Sequence, residues 1–128
     1  LNKIKIFDNE IKLRNKVAQY YSNNLSNWLN IPKIRPQHQS SWAQYSVVCN
    51  SSKERSELIK YLMDQGIPTS VFYKNLFSDS NLFGVKKLNK YPVSKHISKT
   101  IFSLPMHPYL EQNELDKVII SVKTFLNH

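Results

Sequence analysis

Ile4, Phe7, Ile11, Ala18, Tyr21, Leu25 and Trp28 recur three and four residues apart, with Arg14 filling the remaining place in the series. That period is one face of a helix. At ~1.5 Å per residue the predicted helix extends about 37 Å, which is long for so small a chain. Helices of that length normally span two domains or pack along a partner. Arg14 sets a guanidinium into the apolar stripe. It needs either a carboxylate or carbonyl acceptor, or a stem laid sideways with its head reaching water.

Beyond the helix, "IPKIRP" (residues 31–36) reads as an extended connector, because each proline biases its predecessor away from the helical region. "SWAQYSVVC" (41–49) alternates as a strand, with Ala43, Tyr45, Val47 and Cys49 on one face and Trp42, Gln44, Ser46 and Val48 on the other. Ser51 and Glu54 have the spacing of a capping box. They open a helix predicted to bury Leu58, Ile59, Leu62 and Met63 and to end at Gly66, with Pro68 blocking continuation. "TSVFY" (69–73) reads as a second strand. Residues 74–92 have no period and read as a long loop with a turn at Phe83-Gly84; loops of that length usually carry function or are disordered. A short helix over 93–99 leads to a third strand, "TIFSLP", and a turn held by Pro105 and Pro108. The last helix, 111–126, presents Leu115, Val118, Ile119, Val122, Phe125 and Leu126 to the core. The order predicts a two-layer α/β fold (of the α+β kind), its small, mainly antiparallel sheet of about three strands covered by helices. Residues 1–30 form the long linking helix and 31–128 the small domain.

A chain of 128 residues with 41% hydrophobic content suits one folded domain. No apolar run reaches the ~18 residues of a membrane span, and the first ten residues lack the apolar core of a signal peptide. The first residue is Leu rather than Met, which suits a cut end. The lone Cys49 forms no internal disulfide and points to the cytoplasm. Net charge is +9, carried by 15 Lys against 3 Arg, alongside 13 Asn and 11 Ile. That bias is what AT-rich codons produce, and most of the lysines are expected on a solvated face. The densest basic run, residues 86–99, is the candidate phosphate-facing patch.

His38, His96, His107 and His128 are scattered, without metal-ligand spacing. No phosphate loop, dinucleotide fingerprint or nucleophile elbow occurs, and two glycines could hardly build one. His107, in its proline-held turn, is either presented to a ligand or simply half exposed. On the residues alone the chain is a binding or accessory domain. A basic module for nucleic acid, with Tyr73 and Phe77 as stacking platforms, is one alternative; a gene remnant without activity is another.

Four stretches narrow this. "LNKIKIFDNEIKLRNKVAQYYSNNL", "SSWAQYSVV", "KERSELIKYLMDQGIPTSVFY" and "FSLPMHPYL" resemble, in order and spacing, the C-terminal part of the DegT/DnrJ/StrS sugar-nucleotide aminotransferases. The resemblance implies the C-terminal small domain of a pyridoxal-phosphate transferase of fold type I. The parent would move an amino group, with glutamate as donor, onto a nucleotide-linked keto-sugar for polysaccharide or modified-sugar synthesis, working as a homodimer. Family members usually read Gly-Ile-Pro-Thr-x-x-His-Tyr-Pro-x-Pro-Leu-His where this chain has "GIPTSVFYKNLFS". Tyr73 matches the tyrosine, Phe72 stands in place of the first histidine, and Ser78 falls near the second. A phenyl ring cannot hydrogen-bond a phosphate or hydroxyl.

The resemblance thus implies Tyr73, Gln44, Tyr45, His107, Lys74 and Ser78 as substrate contacts, Lys74 toward a diphosphate. If "TSVFY" is a strand, alternation turns Tyr73 to the cleft and Phe72 away. The family's Schiff-base lysine sits in a Ser-Phe-x-x-x-Lys segment of a large domain that is expected to be absent from this chain. "KNL" at 74–76 follows Gly-Ile-Pro-Thr rather than Ser-Phe and is read as coincidence. These 128 residues alone, with no catalytic residue and no cofactor expected on them, should be inactive.

Overall fold

The computed structural model describes residues 2–76 and 91–127. Six elements follow one another: α1 (Asn2–Leu25), β1 (Tyr45–Val48), α2 (Ser52–Asp64), α3 (Pro92–Thr100), β2 (Ile101–Leu104) and α4 (Gln112–Leu126). The strands pair antiparallel, Tyr45 opposite Leu104 and Val47 opposite Phe102. All four of these residues are buried on one face, under the helices. On the other face the hydroxyls of Ser46 and Ser103 lie 2.9 Å apart and hydrogen-bond across the strands. Helix α4 packs on α1 and α2, and α3 packs on α2. The α+β class with a long first helix is as the sequence predicts.

The stripe on α1 buries only its second half. Val17, Ala18, Tyr21 and Leu25 are in the core, whereas Ile4 and Phe7 are 72% and 53% exposed. The helix ends at Leu25, leaving Trp28 beyond it and half buried. Arg14 takes the carbonyl option, its Nη1 donating to the Trp42 carbonyl at 3.1 Å.

Helix α2 is bounded as its sequence signals. The Glu54 N–H donates to Ser51 Oγ at 3.1 Å, but the Glu54 carboxylate returns to the N–H of Asn50, one residue earlier than a reciprocal box requires. At the other end Gly66, at φ 71°, donates to the Met63 carbonyl and Ile67 to that of Leu62. This pair of bonds is the Schellman closure. Leu58 and Leu62 are fully buried, but Met63 is 66% exposed, against the prediction. It follows Ile59 by one turn, on the edge of the buried arc, where Ile59 itself is only half buried.

Residues 69–73 do not form the second predicted strand. Only Ser70 pairs, exchanging both backbone bonds with Ser103. In that register the next bonded pair would be Pro68 with Pro105, and neither has an N–H to donate. On the other side the chain turns away at Phe72 and Tyr73. Among the described residues the sheet therefore has two strands plus single bridges at Ser70 and at Asn30, which pairs with Val48. The strand expected from residue 41 begins only at Tyr45, because Trp42 has a left-handed backbone with φ 48°. The loop predicted over 74–92 lies mostly outside the described residues, as do its Phe83-Gly84 turn and Phe77; from Pro92 on, the chain is already helix α3.

Cys49 is buried at the end of β1. Burial, reinforced by the charge of Glu54, pushes its thiol from the ordinary 9.0 up to about 12. A raised folded-state pKa means that this residue contributes full stability below pH ~9, lost as pH rises toward ~12. We therefore expect native Cys49 to resist iodoacetamide at about pH 8 and to react at once in denaturant, as followed by intact mass. A second expectation concerns Gly66. A Cβ there would meet only Lys117 Nζ, at an unstrained 3.8 Å, so the cost of Gly66→Ala is that of the left-handed backbone. Urea titration should show a loss of about 1–2 kcal/mol.

Candidate functional site

Two grooves open on either side of Phe72. The first, about 310 Å³, is lined by Gln44, Ser70, Phe72, Met106 and His107, with Pro68 and Pro105 among its walls. The second, about 880 Å³, runs between residues 72–76 and helix α3; it takes in Tyr73, Lys74 and Leu76 with Val93, Ile97 and Ile101. Phe72 lines both, its ring edge-on to Tyr73 at 5.9 Å between centroids. The sequence candidates are thus divided: Gln44 and His107 share the first groove, Tyr73 and Lys74 the second.

Of the remaining two candidates, one is in the core and the other lies outside the described residues. Tyr45 is fully buried, its ring 5.1 Å from Tyr21 and 5.6 Å from Trp42 and its hydroxyl 2.9 Å from Ser22 Oγ. Burial pushes its phenol up, and the Ser22 bond offsets this in part. It is a core residue that a ligand cannot reach. The alternation that set Tyr45 with Val47 and Cys49 already placed it on the inward face. Ser78 lies outside the described residues. The expected opposition of Phe72 and Tyr73 also fails, because no strand forms to alternate them; Phe72 is 43% and Tyr73 77% exposed. Of the basic run 86–99, residues 86–90 lie outside the described residues, and Lys95 and Lys99 sit on α3.

The turn carrying His107 is held at both ends by α1. The Tyr21 hydroxyl donates to the Pro105 carbonyl at 3.0 Å, and the Tyr109 hydroxyl donates to the buried Glu10 carboxylate at 2.9 Å. Within the turn the Tyr109 N–H points at His107 Nδ1 from 3.2 Å. Nδ1 is therefore an acceptor, and the neutral ring carries its proton on Nε2, leaving that nitrogen as a donor. Glu10 was not singled out from the sequence; its place on the edge of the apolar stripe was the available signal.

Chemically, the first groove offers a neutral amide, an imidazole and hydroxyls beside apolar walls. These groups fit a hydroxylated, uncharged moiety. The second offers an apolar floor, a phenol and the ammonium of Lys74, which suit an anion attached to something apolar. Among the described residues, neither groove is lined by a carboxylate. Among the described residues no three or more His, Cys, Asp or Glu gather as metal ligands, and no helix is long and apolar enough to cross a membrane.

The sequence pattern of the DegT/DnrJ/EryC1/StrS aminotransferase family matches residues 1–123. A curated relative from Pseudomonas aeruginosa, UDP-2-acetamido-2-deoxy-3-oxo-D-glucuronate aminotransferase, is 34% identical over 97% of this chain and 33% of its own length. A solved DegT DnrJ EryC1 StrS aminotransferase from Brucella abortus superposes with a TM-score of 0.90 at 30% identity, over 100% of this chain and 34% of that one. The fold also recurs, at 18% identity and a TM-score of 0.77, in ntda from Bacillus subtilis with bound cofactor PMP, over 93% of this chain and 29% of that one. The chain spans about a third of the length of the curated relatives it matches. Among the described residues, the two grooves present one lysine, the exposed Lys74, and no carboxylate that could partner the pyridine nitrogen of such a cofactor.

The division between core and groove tyrosines is measurable. Tyr45→Phe should cost about 0.5–1.5 kcal/mol through loss of the Ser22 bond, and Tyr73→Phe should stay within about 0.5 kcal/mol of the parent chain. Urea midpoints of the two variants decide it. A larger loss from Tyr73→Phe than from Tyr45→Phe contradicts the placement of residues 72–74.

Proposed function

The chain belongs to the DegT/DnrJ/EryC1/StrS aminotransferase family, and from that premise we propose that it forms the substrate-holding small domain of an enzyme that aminates a nucleotide-linked keto-sugar. The observation that carries the reading is the pair of grooves meeting at Phe72. On this reading Gln44 and His107 hold hydroxyl or acetamido groups of the sugar, and Lys74 with Tyr73 meets the diphosphate. A uridine-linked acetamido sugar is the substrate class, by likeness to the Pseudomonas relative.

The described residues contribute binding and orientation. Gln44 can donate and accept in one contact, which fixes a sugar hydroxyl in direction as well as distance. His107 Nε2 donates, and Phe72 gives an apolar wall against a ring face. Pyridoxal phosphate, its lysine and its carboxylate partner belong, on this proposal, to sequence outside these residues; glutamate would be the amino donor and a homodimer the working form. The first turns of α1, where Ile4, Ile6 and Phe7 are exposed, offer the surface for a large domain or a second subunit. The unpaired buried thiol suits the cytoplasm.

Replacing the matching third of the Pseudomonas enzyme with this chain tests the proposal. The chimera should convert glutamate to 2-oxoglutarate in the presence of a UDP-linked 3-keto sugar. Gln44→Ala and His107→Ala should each lower kcat/KM by up to about tenfold, the worth of one neutral hydrogen bond. A folded chimera with no activity, or one in which neither substitution changes kcat/KM, is incompatible with the reading.

A further inference from the structure

Ala43 and Gln44 are exposed, yet both residues that flank them are buried and tied to helix α1. On the far side is Tyr45, with its ring in the core and its hydroxyl on Ser22. On the near side is Trp42, in a left-handed backbone conformation that a bulky side chain rarely adopts. Three hydrogen bonds besides its burial hold it there. Its indole Nε1–H donates to Asn15 Oδ1 at 2.9 Å, its carbonyl accepts from Arg14 Nη1 at 3.1 Å, and its backbone N–H donates to Ser40 Oγ at 3.1 Å. The Asn15 amide is itself oriented by donating from Nδ2 to the Ile11 carbonyl at 2.8 Å.

The spacing is what gives these contacts a joint effect. Arg14, Asn15 and Ser22 lie within about two turns of one helix, so the two ends of the segment 42–45 are referenced to a single rigid element. The left-handed residue changes the direction of the chain immediately before Gln44. If Trp42 relaxed to an ordinary extended conformation, the ladder could start earlier, and the side chain of Gln44 would be re-aimed relative to Ser70 and His107 across the groove. Sparsely populated backbone conformations persist only where the surroundings over-determine them, and they cluster at ligand sites.

We infer that Arg14 and Asn15 are positioning residues: through Trp42 they hold Gln44 in the orientation that reads the sugar part of a nucleotide-linked sugar. This deepens the function proposed above and rests on it for the ligand. It assigns a purpose to the cation that interrupts the apolar stripe of α1. A side chain there that only packed would leave the Trp42 carbonyl without its charged donor and free the residue to relax. Tyr21 and Glu10 hold the opposite wall at Pro105 and Tyr109, so the same helix sets the distance between the two polar walls of the groove.

The test uses the 128-residue chain, isotopically labelled, with UDP-N-acetylglucosamine as the ligand. Arg14→Met and Asn15→Leu are the disruptive variants; Arg14→Lys and Asn15→Ser retain one donor or acceptor and guard against misfolding. In the parent chain the HN–Hα coupling of Trp42 should report the positive φ, and Gln44 should give one ordered set of side-chain amide signals. Arg14→Met should abolish both signatures, and Arg14→Lys should restore them in large part. UDP-N-acetylglucosamine should bind about three- to tenfold more weakly to Arg14→Met. In a Gln44→Ala background the same change should have no further effect, because the two residues act as one unit. Additive losses, or a lower melting temperature with the Gln44 signals and affinity unchanged, would overturn the inference and reduce Arg14 to a stabilising residue. If the parent chain does not bind UDP-N-acetylglucosamine, the ligand reading fails instead, and the NMR signatures alone decide whether Arg14 positions Gln44.

Discussion

One helix carries the hydrogen bonds that hold both walls of the first groove. Tyr21 and Glu10 on α1 secure the Pro105–Tyr109 turn, while Arg14, Asn15 and Ser22 secure Trp42 and Tyr45. A two-stranded sheet cannot do this alone, because its loops have few neighbouring strands on which to satisfy their backbone groups. The long helix provides partners instead. Its residues Glu10, Arg14, Asn15 and Ser22 bond to the segments beside it, which is why the apolar stripe tolerates an arginine.

The same constraint shapes the core. Two four-residue strands bury too little to stabilise a domain, so most of the apolar surface comes from α1, α2 and α4 closing over one face of the ribbon. The aromatic rings of Tyr21, Tyr45 and Trp42 join the helix to the sheet at centroid distances of 5.1 and 5.6 Å, within the range of favourable tilted pairs. Each carries a polar atom that finds a partner: Pro105 for Tyr21, Ser22 for Tyr45 and Asn15 for Trp42. Left unpaired in so dry a place, such a group costs about 1–3 kcal/mol. The core thus specifies the loops as well as the packing.

The grooves combine polar groups with apolar walls. Amide, imidazole, phenol and ammonium surround apolar surfaces, and among the described residues no carboxylate lines either groove. An arrangement of this kind can orient a substrate and screen it from water. The proposed role as a substrate wall agrees with membership of an aminotransferase family, since in such enzymes binding and bond-making chemistry commonly come from different elements.

The elements with strong local signals were legible in the sequence: the three-and-four spacing of α1, the Ser51 cap and Gly66 closure of α2, and the buried face of α4. These depend on contacts within a few residues. The family was legible too, because it rests on the order of short motifs. What the sequence could not decide were the outcomes that depend on register. Alternation placed Gln44 correctly on an outward face, and it also marked Tyr45 as inward, yet nothing local showed that Trp42 would leave the strand with a positive φ. "TSVFY" has the composition of a strand, but Pro68 falls opposite Pro105, and that coincidence exists only once β2 is in place. The separation of Tyr73 from His107 into two grooves is likewise a consequence of that lost strand. Local propensity determined where the chain would be helical or extended; only the tertiary structure decided which edges could pair, because a backbone hydrogen bond needs a donor on one segment and an acceptor on another.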